Sequence, residues 1–261
     1  MSFFVLKIFL TPLLILGATL AARRWGPIIG GVIVGLPLTS GPTSVFLALE
    51  RGNDFASLAA HSSLFGSTAG LFFCIAYALL APRYRWPVTV AIALGVYFAG
   101  VTFFSLTPLP PLAVSVVSVT GVVVIGLLLI KPARGERAHH APPPWDLPFR
   151  VIISTLIVVV ITAVSRLLGP QLSGIFSAMP AIVCVMSIFT HEIYGPNAVK
   201  QFERGVIVGT FGYIAFFLIV TLGVTRFNLF TAYALAALVS SAINLGICTL
   251  SMPRRKKKQP A

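Results

Sequence analysis

In this chain of 261 residues, 57% are hydrophobic and only 10% charged, where soluble domains carry about 25% charged residues, so an ordinary soluble globular protein is excluded. A net charge of +13 would suit a nucleic-acid binder if the basic residues formed one stripe, but they fall between apolar runs, where topology signals belong. No nucleic-acid partner is expected; the expected partners are membrane lipid, a small-molecule solute and a second copy of the chain.

Apolar runs of the roughly 20 residues needed to cross about 30 Å of hydrocarbon cover residues 2–22, 27–49, 55–81, 88–106, 112–130, 149–168, 171–193, 198–224 and 229–250. They predict an all-α polytopic membrane protein of about nine transmembrane helices. The first run ends in ATLAA before Arg23, like a cleaved signal, but its start is not basic. A corresponding stretch, VIISTLIVVVITAVSR, is internal, so the first run is kept as a mature span. With a cytoplasmic C-terminus, nine crossings put 15 Lys and Arg inside and 4 outside (Lys7, Arg51, Arg166 and Arg226). Folding the second and seventh runs back as re-entrant loops gives 11 against 8. The positive-inside bias therefore favours nine crossings in a bacterial inner membrane, N-terminus out and C-terminus in, with the RRKKK tail as a cytoplasmic flank attracted to anionic lipid.

The second run, GPIIGGVIVGLPLTSGPT from Gly26, places prolines and glycines inside a sequence apolar enough for a bilayer. The pattern returns as GPQLSGIFSAMPAIVCVM from Gly169, and a shift of 143 superimposes Gly26 on Gly169, Pro27 on Pro170, Gly31 on Gly174, Pro37 on Pro180, Gly52 on Gly195 and Gly66 on Gly209. Ten of 55 positions from Arg23 to Tyr77 are identical, six of them Gly or Pro, whose backbone roles are positional. This predicts two four-helix repeats, 1–111 and 149–250, joined by a linking helix at 112–130 and a cytoplasmic linker at 131–148, with a basic tail at 251–261. An odd number of crossings separates the copies, so they insert upside down relative to each other.

Inverted repeats with interrupted helices meeting near the bilayer midplane are a transporter architecture. Pro37 and Pro180 lie near the centres of their runs, where each removes a backbone donor and clashes with the preceding turn. The freed backbone groups need another helix, water or a solute as partner. Around the first break stand Thr39, Ser40, Gly41, Pro42, Thr43 and Ser44; around the second, only Ser177, Met179, Pro180 and Ala181. The candidate solute site is therefore Pro37, Thr39, Ser40, Gly41, Thr43, Ser44 and Pro180. Gly31 and Gly174 are read as contact points that let helices approach closely.

Intramembrane ionisable residues mark function by default. Of six carboxylates, Glu50 and Asp54 fall in an outer turn and Glu136 and Asp146 in the linker, leaving Glu192 and Glu203 near the membrane. Glu203 has Lys200 within reach as a salt-bridge partner, and the shift places Arg204 at the position of His61. His61, which titrates near neutrality, and Glu203 are the candidates for a proton-linked role. Asn244 is an amide in an apolar run that must find a partner. His139 and His140 in the linker lack a partner cluster, and Cys74, Cys184 and Cys248 lie in apolar runs without CxxC spacing, so no metal is expected. No nucleophile with a base partner, HExxH, P-loop or cofactor fingerprint occurs; neither an enzyme nor a cofactor is expected.

The segment RWGPIIGGVIVGLPLTSGPTSVFLALERGNDFASLAAHSSLFG resembles the repeat unit of the GlpM-like small bacterial inner-membrane proteins. In that unit a basic residue precedes a Gly-rich, Pro-broken helix ending in an ERG-type turn, here Arg24, Gly31, Pro37, Glu50, Arg51 and Gly52. The second copy departs from it, with Ile193 and Tyr194 replacing the Glu50 and Arg51 pair. The resemblance implies a bacterial inner membrane and a fused, inverted pair of units. Two functions are open: a permease for a small, anionic or zwitterionic solute working by alternating access, or an accessory membrane protein in envelope or polysaccharide synthesis. Polar faces around a cavity favour the first, sealed Gly/Ala seams the second.

Overall fold

The computed structural model describes residues 2–38, 40–132, 146–165 and 179–251. Thr39, His139, His140, Arg166, Gly169, Pro170, Gly174, Ser177 and the basic tail lie outside them. The described residues form nine helices and no strands: α1 Ser2–Trp25, α2 Pro27–Val34, α3 Ser40–Arg51, α4 Asn53–Leu80, α5 Trp86–Leu106, α6 Leu112–Leu129, α7 Asp146–Ser165, α8 Ala181–Gly223 and α9 Leu229–Ser251. Five are long and apolar enough to cross a membrane: Asn53–Leu80, Trp86–Leu106, Leu112–Leu129, Ala181–Gly223 and Leu229–Leu250.

The 43 residues of α8 are two helical arms, because Gly195 has φ 81 and ψ 177, a left-handed conformation that only glycine adopts without strain. Ser187 and Glu203, each eight residues from Gly195, are hydrogen-bonded, so the second arm runs back along the first. Gly52, between α3 and α4, has φ 88 and ψ 171. The two glycines are 143 residues apart in sequence and share one backbone geometry. At Pro37 the helix is interrupted between Val34 and Ser40, yet the chain continues in the same direction. Asn244 of α9 reaches the Val32 carbonyl at 3.2 Å, and Tyr233 reaches Ser44 at 2.7 Å. The 11 residues of α9 between those contacts span about 16 Å. α2 and α3 therefore follow one another along α9 in one direction.

The core is built from α4 and the second arm of α8, which run antiparallel: Ser57 donates to the Thr221 carbonyl at 2.8 Å, while Tyr213 meets Ser63 further along. Alongside them, α2 lies parallel to the second arm of α8 across an unusually close seam. The same pentapeptide, GVIVG, occupies 31–35 and 205–209. A Cβ built on Gly31 would lie 2.1 Å from the Phe202 carbonyl oxygen, and one on Gly205 would lie 2.2 Å from that of Ile28. Small residues four apart on both helices permit this approach. Asn244 closes the seam by donating to the Val32 and Gly209 carbonyls, both at 3.2 Å. The outer helices expose Phe103, Leu106, Val117, Leu128, Leu156, Phe230, Leu238 and Leu245, the apolar rim that a lipid environment requires.

α6 touches the core at both ends. Near its start Ser115 bonds His61 Nε2 at 3.0 Å, and at its end the Leu127 carbonyl accepts from Arg204 at 2.8 Å, with Ile130 accepting from the same nitrogen. Positions matched by the 143-residue shift thus reach opposite ends of one helix.

α1 and α7 also pack together antiparallel, the end of α1 against the start of α7. Arg23 pairs with Asp146 at 2.8 Å, and Arg150, 2% exposed, pairs with the other oxygen of Asp146 at 2.6 Å. The Arg150 guanidinium also lies 5.0 Å from the centre of the Phe189 ring and reaches Met186, tying α8 to this corner. Asp146, which the sequence assigned to a solvated linker, instead opens a helix, where its charge complements the N-terminal dipole. Asp146→Asn leaves a buried guanidinium without a counter-ion, which costs about 3–5 kcal/mol. The expected outcome is a clear drop in the thermal unfolding midpoint of the detergent-purified protein; an unchanged midpoint would show the pairs to be dispensable.

Candidate functional site

The interruption at Pro37 faces the start of α8 at Pro180, and a cavity of about 80 Å³ lies between them. One wall is Val34, Gly35, Leu36, Leu38 and Ser40; the opposite wall is Met179, Pro180, Ala181, Ile182 and Val183. α4 contributes Ser67, Gly70, Leu71 and Cys74, and the second arm of α8 contributes Val206, Thr210 and Tyr213. The spacing on α4 (67, 70, 71, 74) and on α8 (206, 210, 213) is that of one helical face. The 143-residue shift pairs Leu36 with Met179, Leu38 with Ala181, Ser40 with Val183, Ser67 with Thr210 and Gly70 with Tyr213, all of them lining residues.

A single water needs about 10–15 Å³ of such volume, so the cavity has room for several waters or one small solute. Its polar wall is made of four hydroxyls. Ser67 donates to the Leu64 carbonyl at 2.6 Å and Thr210 to that of Val206 at 3.0 Å, which engages each hydrogen within its own helix and leaves the oxygen lone pairs for another donor. The Tyr213 hydroxyl interacts with Ser40 and with the Ser63 carbonyl. Both α3 and α8 begin at the cavity, so two helix N-termini, with their positive dipole ends, face it; α2 ends there with its carbonyls.

Of the residues singled out in the sequence, Ser40 and Pro180 line this cavity. Pro37 is buried beside Gly41, whose Cα hydrogen faces the Phe216 ring. Thr43 and Ser44 are buried, and Ser44 holds Tyr233 on α9; these residues brace the break from behind. Thr39 lies outside the described residues. His61 is directed at Ser115 on α6, away from the cavity. Glu203 is fully buried one turn below Val206 on the cavity-lining face, with Oε1 2.5 Å from Ser187 Oγ. Lys200 forms no ion pair with Glu203, whose expected partner is replaced by the Ser187 hydroxyl. Lys200 lies one turn nearer the Gly195 end and is partly exposed, whereas Glu203 is fully buried in the helix interface.

The hydroxyls of Ser67, Thr210 and Tyr213 were missed by reading outward from the prolines. The repeat held the signal, since the shift that aligns the prolines also aligns Ser67 with Thr210. Together the elements define a class: a polytopic helical membrane protein in which the interrupted segment at Pro37 and the start of α8 at Pro180 meet at a largely apolar cavity that carries four hydroxyls. No family model, curated protein or solved structure matches this chain.

Proposed function

We propose that the protein is a permease for a small anionic or zwitterionic solute in a bacterial cytoplasmic membrane, working by alternating access about the joints at Pro37 and Pro180. The observation that carries this reading is the cavity between the interruption at Pro37 and the start of α8 at Pro180, with Ser40, Ser67, Thr210 and Tyr213 in its lining. An accessory protein that only organises partners has no need of a cavity with converging hydroxyls. The two helix N-termini suit a carboxylate or another anionic group, and the hydroxyl oxygens and the α2 carbonyl end suit an ammonium group.

The inverted arrangement is supported by three pairings. α1 and α7, equivalent under the shift, lie antiparallel; His61 and Arg204, also equivalent, meet opposite ends of α6; and Gly52 and Gly195 turn equivalent hairpins. A repeat related by an axis in the membrane plane produces all three. The contacts between neighbouring helices follow the alternation of nine crossings: α2 parallel to the second arm of α8, and α4 antiparallel to it but parallel to α6. With the positive-inside count, this supports an orientation with the Gly195 turn and the Asp146 corner cytoplasmic, the N-terminus outside and the C-terminus inside.

Uptake profiling tests the function. A deletion strain and its complemented parent are offered a labelled panel of amino acids, organic acids and inorganic anions. The expected result is one chemical class whose uptake is lost on deletion and restored on complementation; equal uptake of the whole panel would sink the permease reading.

A further inference from the structure

The side chain that this cavity leaves unexplained is Glu203. It is fully buried, and its Oε2 has no hydrogen-bond partner among the described residues. From α4 it faces Cys74 and Tyr77, and from the first arm of α8 Cys184 and Ser187. The helix packed on its other flank, α2, has the sequence PIIGGVIV and carries no titratable side chain. The neighbouring Arg204 is turned away to the carbonyls of α6. Among the described residues no cation compensates this carboxyl, and burying a lone carboxylate is among the most expensive acts in protein folding.

The hydrogens around Ser187 say how the expense is avoided. Ser187 Oγ lies 2.7 Å from the Val183 carbonyl and 2.5 Å from Glu203 Oε1. A hydroxyl has one hydrogen, and a carbonyl can only accept. The Ser187 hydrogen can serve the Val183 carbonyl or Glu203 Oε1, and both contacts are satisfied at once when Ser187 donates to Val183 and Glu203, as a neutral acid, donates to Ser187, which a carboxylate cannot do. The closed hairpin therefore fits Glu203 with its proton on.

We propose that Glu203 is a proton-binding site that governs access to the cavity: the two arms of α8 close on each other with Glu203 protonated, and loss of that proton opens them. The proton leaves Glu203 Oε1 for water entering from the Gly195 end, where Tyr77 lies 3.4 Å from His191 Nδ1 and Glu192 is exposed. The resulting carboxylate cannot remain in the dry interface, so it recruits water and parts the hairpin beside Cys74, which lines the cavity. Within the permease reading, on which its role in transport rests, this makes a proton the coupling ion.

Cys74 supplies a built-in reporter. The full chain carrying Cys184→Ala and Cys248→Ala is reconstituted in liposomes, and the rate at which N-ethylmaleimide modifies Cys74 is followed against pH, with and without Glu203→Gln. The glutamine variant keeps the shape and cannot ionise, so dividing by its rate removes the thiol's own titration. The expected ratio rises with pH, with a slope approaching about tenfold per pH unit, the limit for one released proton. A flat ratio overturns the proposal.

Infrared difference spectra of the same samples guard against a variant that merely misfolds. The carbonyl band of a neutral carboxylic acid should be present in the parent, lost in Glu203→Gln and moved in Ser187→Ala; its absence from the parent at neutral pH overturns the proposal as well. Neither readout uses a solute. A flat ratio beside intact uptake removes Glu203 and spares the permease, whereas a rising ratio without uptake of any panel member supports the proton site and removes the permease.

Discussion

Gly205→Ala is expected to cost the protein its folded state, although it adds a single methyl group. The new carbon would sit 2.2 Å from the Ile28 carbonyl oxygen and 3.0 Å from the Gly31 Cα. Overpacking a core costs about 1–3 kcal/mol when side chains can shift; here the obstacles are backbone atoms of a helix, so the effect belongs at or above the upper end. Gly31→Ala should behave alike, with the Phe202 carbonyl oxygen 2.1 Å away. Gly95→Ala and Gly121→Ala are the controls, since each has open space around its Cβ position. Removing a helix-interior glycine there should stabilise by about 0.5–1 kcal/mol. Thermal unfolding in detergent, read with the fraction recovered as a monodisperse species, separates the two pairs. If the seam variants matched the controls, α2 and α8 would not meet as closely as described.

That contrast shows which information local sequence carries. The helical class and the interruption at Pro37 were legible because hydrophobic run length and proline chemistry act locally. The Gly52 and Gly195 turns were legible as a pair through the 143-residue shift, since a left-handed position selects glycine wherever it occurs. The pairing of one GVIVG with the other obeys a different offset, 174 residues, because it is a packing contact and follows no repeat. Gly31 could be recognised as a close-approach residue, but its partner could not.

Charge was harder to read. Asp146 sits in a polar, Pro-rich sequence that says linker, yet Arg23, more than a hundred residues away, and Arg150 draw it into a buried corner. Glu203 looked like half of a surface ion pair with Lys200, three residues earlier. Three residues on a helix is enough for contact, but the side chain's partner was decided by the hairpin at Gly195, which brings Ser187 against it. Sequence spacing identifies who can meet on one helix; the turns decide who meets across two.

Removing the cavity hydroxyls together should abolish transport and leave the protein intact. In the variant Ser40→Ala, Ser67→Ala, Thr210→Val every replacement suits an apolar helix. The bonds lost from Ser67 and Thr210 are to carbonyls of their own helices, which keep their backbone partners. Stability should therefore change little, measured by the same unfolding assay used for the glycine variants. Each hydrogen bond to a neutral group contributes about 1 kcal/mol net and each to a charged group about 1.5–3. Three lost contacts to an ammonium or carboxylate then weaken binding by about 4 kcal/mol or more, close to a thousandfold in Kd. Uptake by whole cells at solute levels that saturate the parent should fall to the level of the deletion strain, with the variant present in the membrane at parental abundance. Thr43→Val and Ser44→Ala, placed behind the break, should lower stability before they lower affinity, because Ser44 holds α3 to Tyr233. If the cavity variant transported normally while the bracing variants did not, the solute would pass elsewhere, and the joints at Pro37 and Pro180 would be kinks in packed helices.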